Sequence, residues 1–378
     1  RMGASATAVS MLTSLPALLT IAFAIPSGSI VARWTHPGLM SARCFYILRL
    51  SYPLIAAAAL LDPRIAPWAI VAIWGLTAIP GALGNTAFYD VLAESVPATR
   101  RAAINGVRWA LLFLISGGSV SLFGQLLDRV EWPANYLILI GISFVLGMAS
   151  IYIYSRLEIP PRPVRPTIRE RGDWRTRLGN LLIPFRARSG FGAFSIVTLA
   201  MRIGFFLPAG LFSLFLVNTL RVSDAWIGGR TTIESIAMTA GYFFWGRMAN
   251  RAGKRRMLAL LGLAVGLNYV FVSMATTERL YLMYFGALLS GFFVSAGDVS
   301  LFEWLLEIMP EDDRPRYVAM NTLLMNLVAF FAPIAGAAIA EAAGIRTVYW
   351  LSAISMVTCT VLALALIRPA HHPPRTVG

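Results

Sequence analysis

Ionisable side chains lie inside long apolar stretches of this sequence. Arg202 is near the middle of one stretch, and Asp298 lies nine residues before Glu307 at the end of another. At 1.5 Å of rise per helical residue, Asp298 is then roughly 13 Å from that end. A charge near the centre of a bilayer costs at least ~2.5 kcal/mol, so such residues usually face protein or water and mark a functional site. The pattern predicts buried charges that pair with each other or exchange protons.

The elements that position these residues must be membrane helices. The chain is 57% hydrophobic and 13% charged, whereas soluble proteins are about a quarter charged. An ordinary soluble enzyme is therefore excluded, because so many apolar residues cannot all be hidden in a core. The net charge of +14 is spread over short segments between apolar runs. Nucleic acid is therefore not an expected partner, because binding it needs charge gathered on one exposed face.

Runs of about 20 apolar residues can cross a bilayer as helices. The sequence contains eleven, at approximately 8–30, 42–61, 67–89, 104–126, 133–155, 190–218, 226–248, 257–275, 281–306, 318–340 and 347–367. We therefore expect an all-α membrane protein. Its predicted parts are an N-terminal bundle over 1–156, a cytoplasmic basic linker over 157–188 with a short interfacial helix, a C-terminal bundle over 189–368, and a cytoplasmic tail over 369–378.

The basic residues indicate how the chain is oriented. Loops on one side of the predicted membrane carry 22 of the 32 Lys and Arg residues, and those on the other side carry six. The positive-inside rule places the richer side, with the C-terminus, in the cytoplasm. The two cysteines are far apart and the three histidines lie in a loop and the tail. We therefore expect no disulfide, metal site or cofactor.

An internal repeat is visible in the sequence. NTAFYDVLAESVPATRR, from Asn85, aligns with DVSLFEWLLEIMPEDDR, from Asp298, at an offset of 213. The aligned pairs are Asn85 with Asp298, Asp90 with Glu303, Glu94 with Glu307, and Arg101 with Arg314. GSIVAR from Gly28 aligns with GRMANR from Gly246 at an offset of 218. These matches predict duplicated halves with the same membrane orientation.

The helix at 190–218 has no counterpart in the first half, because the offset of 218 places its partner at or before residue 1. We therefore expect twelve helices in the full protein and eleven here, five plus six. The opening helix would be missing because the chain is truncated, starts at the wrong residue or is naturally one helix short.

GRMANRAGKRR, from Gly246 to Arg256, resembles the GxLADRxGRR loop of the major facilitator superfamily. The first copy keeps Gly28 and Arg33 but has Ala32 in place of the acid, and Asn250 replaces the acid in the second. The fourth helix of each half ends in a family-like ExxxxxxR. In the family, these residues form an ion-pair latch that closes the cytoplasmic side, so the resemblance implies a cytoplasmic gate. Its residues would be Gly28, Arg33, Glu94, Arg101, Gly246, Arg251, Glu307 and Arg314. For Lys254, Arg255 and Arg256 we favour the simpler interpretation that they set topology.

The resemblance also implies a central cavity lined by the first and fourth helices of each half. Arg202 and Asp298 occupy such helices and are our preferred central pair, with Asn85 as the repeat counterpart of Asp298. Asp90 and Glu303 lie about one turn closer to the cytoplasm. They either titrate, as a proton-coupled step requires, or brace nearby arginines, and both alternatives stay open.

Arg230 and Glu234 are four residues apart and could form a local pair on one helix face. Because Arg230 is within two turns of the outer helix end, we instead expect its side chain to snorkel to the interface.

Two functions are compatible with these features. Because GxxxxGK, HExxH and GxSxG motifs are absent, the chain is not expected to be an enzyme, and energy would come from a gradient. The first function is a secondary active transporter that moves a small solute by alternating access, with protons as the simplest coupling ion and export as one direction. The alternative is a non-transporting assembly factor or structural subunit of a larger membrane complex. We expect a bacterial inner-membrane protein whose partners are lipid, a small solute and protons, and a monomer unless it belongs to such a complex.

Overall fold

The computed structural model describes residues 5–95, 98–159, 183–186, 190–310 and 314–367, and the regular elements in these ranges are helical. In the N-terminal half they are α1 (Ala6–Ala32), α2 (Pro37–Ala58), α3 (Ala66–Leu76), α4 (Ala78–Ser95), α5 (Ala98–Arg129) and α6 (Ala134–Ser155). A single turn, α7 (Ile183–Arg186), follows. The C-terminal half contains α8 (Phe191–Phe206), α9 (Leu211–Leu214), a π-helical turn (Phe215–Thr219), α10 (Asp224–Ala252), α11 (Lys254–Met274), α12 (Tyr281–Ile308), α13 (Arg314–Ala343) and α14 (Ile345–Leu366).

Local sequence signals begin and end several of these helices. The Ser5 and Ser223 side chains cap α1 and α10 by accepting backbone N–H bonds at 3.1 Å. Gly253, at φ +73°, separates α10 from α11. Nine segments of the described residues are long and apolar enough to cross a membrane. The prediction of an all-helical membrane protein is therefore confirmed.

The same packing pattern occurs in both halves. In the N-terminal half α1 packs on α3 and α4, and α2 packs on α4 and α6. In the C-terminal half α10 packs on α12, and α11 packs on α12 and α14. Across the halves α1 packs on α13, and α5 packs on α10. In chain order, α1 is the counterpart of α10 and α5 is the counterpart of α13. The α1–α13 and α5–α10 contacts are therefore equivalent, as a pseudo-twofold relation between the halves requires.

Large apolar side chains cover much of the outer surface. Leu122, Ile153 and Phe302 are 68%, 71% and 66% exposed. Exposed apolar surface on this scale is unfavourable in water, so lipid must cover it. The main buried cluster lies inside the C-terminal half, where Phe191, Phe194 and other side chains pack together.

The helix that opens the C-terminal half is broken. We expected a continuous span over 190–218, but α8 ends at Phe206 and the chain turns at Gly210, at φ +82°, before continuing as α9 and the π-helical turn. A Cβ at Gly210 would lie 3.0 Å from the Val9 carbonyl oxygen of α1. Both the positive φ and this close approach require glycine.

Most of the predicted linker and the tail cannot be compared with the structure. The expected surface helix within 157–188 and the tail over 369–378 lie outside the described residues, apart from 157–159 and α7.

Candidate functional site between the two halves

The two halves are joined at the helix ends that carry Asp128 and Asp224, which we call the tight end. The Asp128 carboxylate, on the last turn of α5, accepts the backbone N–H of Asp224 at 2.9 Å and of Ala225 at 2.8 Å. An acidic group from one half thus caps the positive end of helix α10 in the other. The Thr7 hydroxyl donates to Glu341 at 3.0 Å and makes a second cross-half bond at this end.

Backbone contact continues along α5 and α10 from the tight end. A Cβ at Gly228 would lie 2.7 Å from the Val120 carbonyl oxygen, and one at Gly124 would lie 2.5 Å from that of Asp224. The Thr232 hydroxyl donates to the Gly117 carbonyl oxygen at 2.6 Å. Glycines therefore allow the two helices to approach at backbone distance, as small residues commonly do in membranes.

A polar centre lies farther along the same helices. The Tyr242 hydroxyl of α10 donates to Asp298 Oδ2 of α12 at 2.6 Å. The Tyr242 ring stacks on Phe113 of α5, with centroids 5.6 Å apart and planes at 24°. Arg202 of α8 interacts electrostatically with Asp298, and its buried Nε has no hydrogen-bond partner in the described structure. Three helices of one half and one of the other thus meet around a carboxylate that solvent can reach.

Beyond Tyr242 the surface of α10 borders a wide recess, at what we call the open end, which carries Arg251 and Glu307. The recess has a volume of about 860 Å³. Its described lining is Ala240, Phe243, Phe244, Arg247, Met248 and Arg251. At the same end Lys254 pairs with Glu307. Both partners belong to the C-terminal half, so this pair does not join the halves.

The predicted central residues are brought together only in part. Arg202 and Asp298 lie close enough to interact electrostatically, whereas Asn85 is exposed on α4 and Glu303 is exposed on α12. Asp90 lies on α4, but its side chain is outside the described part of the structure. The functional role of all five residues stays a prediction.

The predicted gate can be followed at half of its positions. Arg33, Gly246, Arg251 and Glu307 are exposed at or near helix ends. A Cβ at Gly246 would meet open space, so no close contact explains this glycine here. Gly28, Glu94, Arg101 and Arg314 lie on helices, but their side-chain surroundings are outside the described residues.

The expectation that Arg230 snorkels is wrong. Its side chain is 6% exposed and pairs with Glu234 at 2.9 Å inside the C-terminal half. Depth along a helix does not specify which face is covered, and here α10 presents Arg230 to neighbouring helices rather than to lipid.

Sequence reasoning also missed Asp128 and Tyr242. Asp128 resembles any solvated acid at a helix end, and its partners are 96 and 97 residues away. Tyr242 contacts an acid 56 residues away. Because the partners are far apart in sequence, no short-range pattern of residues could have predicted either contact.

Helical length, apolar surface and a polar centre between two packed bundles define an integral membrane protein whose halves show the same packing pattern. A family model described as Major Facilitator Superfamily matches residues 194–378. The multidrug resistance protein MdtG of Dickeya zeae is 28% identical over 157 residues, which cover 41% of this chain and 37% of that relative. Residues 194–378 of this chain are thus similar to the major facilitator superfamily, in agreement with the resemblance carried by the loop motif.

Solved structures share the fold across nearly the whole chain. A mutant of the nucleoside transporter NupG matches with a TM-score of 0.72 at 14% identity, covering 97% of this chain and 92% of that chain. A POT family transporter in complex with 5-aminolevulinic acid matches with a TM-score of 0.73 at 13% identity, covering 96% and 88%. The chain spans less than half of the MdtG relative it matches, and identities this low support the fold alone.

Proposed function

We propose that this chain is a secondary active transporter that moves a small solute across a bacterial inner membrane by alternating access. The observation that carries the proposal is the placement of Arg202, Tyr242 and an exposed Asp298 where α10 meets Phe113 of the other half. A polar site at the interface of two repeats is what rocking of two bundles needs. We assign eleven membrane helices to this chain, five plus six.

The positive-inside rule assigns the orientation. The open end carries Arg247, Arg251 and Lys254, and basic residues concentrate on the cytoplasmic side. The structure is then an inward-facing state with a cytoplasmic C-terminus. In this state we expect the proposed gate residues of the two halves to be apart. Among the described residues, Glu307 pairs with Lys254 of its own half. Closing the open end would bring the gate arginines and glutamates of the two halves together.

Asp298 is our choice for the residue that contacts the solute. Its carboxylate is accessible, is held by Tyr242 and lies within the field of Arg202. A solute that displaces the Tyr242 hydroxyl or pairs with Asp298 would change the charge balance at the interface. Arg202 would respond, because its Nε has no acceptor in the described structure.

The solute we propose is an amphipathic small molecule, and the direction is export. Phe243, Phe244 and Met248 border the recess, and aromatic and methionine side chains accommodate varied apolar shapes. The relatives named as multidrug resistance proteins agree with this class of cargo. The driving force is a proton gradient that acts through a carboxylate inside the membrane.

Proteoliposomes test this proposal. We expect a fluorescent amphipathic dye to move against its concentration gradient when a pH gradient is imposed. Asp298→Asn should abolish that movement, because the amide cannot carry the charge that Arg202 balances. Glu278→Gln, which changes an exposed loop carboxylate, is the matched control and should transport normally. Dye movement by Asp298→Asn at the native rate would disprove the assignment. A folded chain that moves none of a broad dye panel would favour the non-transporting alternative.

A further inference from the structure

A second polar cavity lies inside the C-terminal half, apart from the contacts between halves. It has a volume of about 220 Å³ and is bordered by residues of α8, the turn after it, α9, α10, α11, α12 and α14. The titratable side chains that line it are Arg230, Glu234, Tyr269 and Tyr349. None of them is part of the proposed Asp298 site.

An ion pair forms one wall of this cavity. Arg230 Nη1 lies 2.9 Å from Glu234 Oε2, and the Ser290 hydroxyl of α12 donates to Glu234 Oε1 at 3.4 Å. The Arg230 guanidinium also lies over the Phe212 ring of α9, 4.7 Å from its centroid. Tyr269 of α11 and Tyr349 of α14 line the same cavity.

The cavity walls are not fully satisfied in this conformation. Arg230 Nε, Asn268 Oδ1 and the Tyr349 hydroxyl are buried without hydrogen-bond partners in the described structure. Each of these residues is at least nine-tenths buried, with exposures of 5%, 7% and 0%. A buried polar group without a partner is unfavourable. These groups therefore point to a site that is completed by water or that rearranges in another state, and the volume is large enough for several waters.

The ion pair is adjacent to both cross-half contacts of the tight end. Phe212 follows Gly210 by two residues, and Gly210 lies against Val9 of α1. Arg230 follows Gly228 by two residues on α10, and Gly228 lies against Val120 of α5. The helical segments that carry Phe212 and Arg230 therefore also carry the two glycines that touch the N-terminal half at backbone distance.

We propose that Glu234 binds the coupling proton and that Arg230 transmits its protonation to the tight end. This inference rests on the proposed transport function and names the carboxylate that performs its proton step. With Glu234 charged, the pair forms and the tight end is closed, as observed. When Glu234 takes up a proton, Arg230 loses its partner inside a cavity where a lone cation is costly. The guanidinium then moves toward water or another acceptor, and the contacts of Gly210 and Gly228 loosen.

The direction of this coupling suits import of protons. Glu234 would gain its proton when the tight end opens toward the outside, and release it when the pair re-forms in the inward-facing state. Asp298 stays available for the solute, so proton and solute would act on separate sites that share α12.

Infrared difference spectroscopy on the full chain tests the protonation directly. Lowering the pH of native protein in lipid should produce a carbonyl band of a neutral carboxylic acid. Exposed carboxylates contribute to the same band, so each variant is compared with the native protein. Glu234→Gln should lose one component of the band, Glu234→Asp should shift that component, and Asp298→Asn should keep it. A band with no component lost in Glu234→Gln would overturn the assignment. Native-like elution and thermal unfolding of each variant verify that it is folded.

Spin-label distances test the link to the tight end. Labels at Leu61→Cys and Thr277→Cys, both exposed in loops of opposite halves at that end, report its separation. In the native background, the ratio of molecules with a separated tight end to molecules with a closed one should rise as the pH falls. The total rise should be about tenfold for each tenfold difference in the proton affinity of Glu234 between these two states. Glu234→Gln should be mostly separated at every pH, and the control Glu278→Gln should titrate like the native protein.

Two results separate failure of this inference from failure of the proposed function. If both ends exchange between two distances but Glu234→Gln follows the native pH dependence, Glu234 is not the proton site and transport stands. If neither end changes distance at any pH or in any variant, alternating access itself fails. A second label pair at His36→Cys and Arg256→Cys, exposed at the open end, supplies this comparison.

Discussion

Replacing Asp128 by alanine should shift the protein toward a state with its tight end open. The carboxylate accepts two backbone N–H groups of α10, at 2.9 and 2.8 Å, and these bonds cross from one half to the other. Losing a helix cap usually costs about 1 kcal/mol, within a range of roughly 0.5–2. The interaction of a carboxylate with the helix dipole adds about 0.3–1 kcal/mol at an exposed position such as this one. Asp128→Ala should therefore weaken the closed tight end by about 1–2 kcal/mol.

That energy corresponds to a change of roughly 5- to 30-fold in the ratio of separated to closed molecules. Asp128→Asn keeps one carbonyl oxygen but loses the charge, so its shift should be about half as large in free energy. The Leu61 and Thr277 label pair measures both ratios. Glu131→Ala removes an exposed carboxylate three residues farther along the same end and is the matched control.

Two results would refute this reasoning. If Asp128→Ala leaves the distance distribution unchanged, the cap does not hold the halves together. If Glu131→Ala shifts it equally, the effect comes from general surface charge at this end and not from the two hydrogen bonds.

Two further predictions concern packing and surface charge. Gly228→Ala should destabilise the tight end by about 1–3 kcal/mol through overpacking, because the new Cβ would lie 2.7 Å from the Val120 carbonyl oxygen; the thermal unfolding temperature in detergent should drop, whereas Gly246→Ala, with open space around it, should unfold like the parent. A double-mutant cycle on Lys254 and Glu307 should give a coupling energy below about 1 kcal/mol, because the Glu307 side chain is 64% exposed. A coupling of several kcal/mol would contradict that estimate and indicate a buried pair.

Apolar runs predicted the helices well because each helix must shield its own backbone from lipid and needs about 20 residues to do so. The predicted span at 133–155 corresponds to Ala134–Ser155, and that at 347–367 to Ile345–Leu366. The break after Phe206 was missed, although Pro208 and Gly210 are both breakers. Because many membrane helices tolerate a proline or glycine, the length of the apolar run favoured the prediction of an unbroken helix.

The candidate site was less predictable, because it depends on which helix faces meet. Arg202 and Asp298 could be singled out by the cost of charge in lipid. Tyr242 gave no such signal, since a tyrosine in an apolar helix is common. Arg230 and Glu234 were recognised as a possible pair from their spacing, but their burial depends on α11, α12 and α14, which the spacing on one helix does not reveal.

The distribution of buried side chains favours motion of the halves as rigid bodies. The clusters around Phe191 and around Trp245 lie within the C-terminal half, and the cluster around Val31 lies within the N-terminal half. In the described structure, the apolar packing across the halves includes Ala6, which lies against a cluster of the C-terminal half. Hydrogen bonds and glycines in backbone contact also join the halves along the α1–α13 and α5–α10 contacts. Separating the halves leaves each close-packed interior intact. A bound solute or a protonation event can shift such an equilibrium by its difference in affinity for the two states, so the two bundles can move as units.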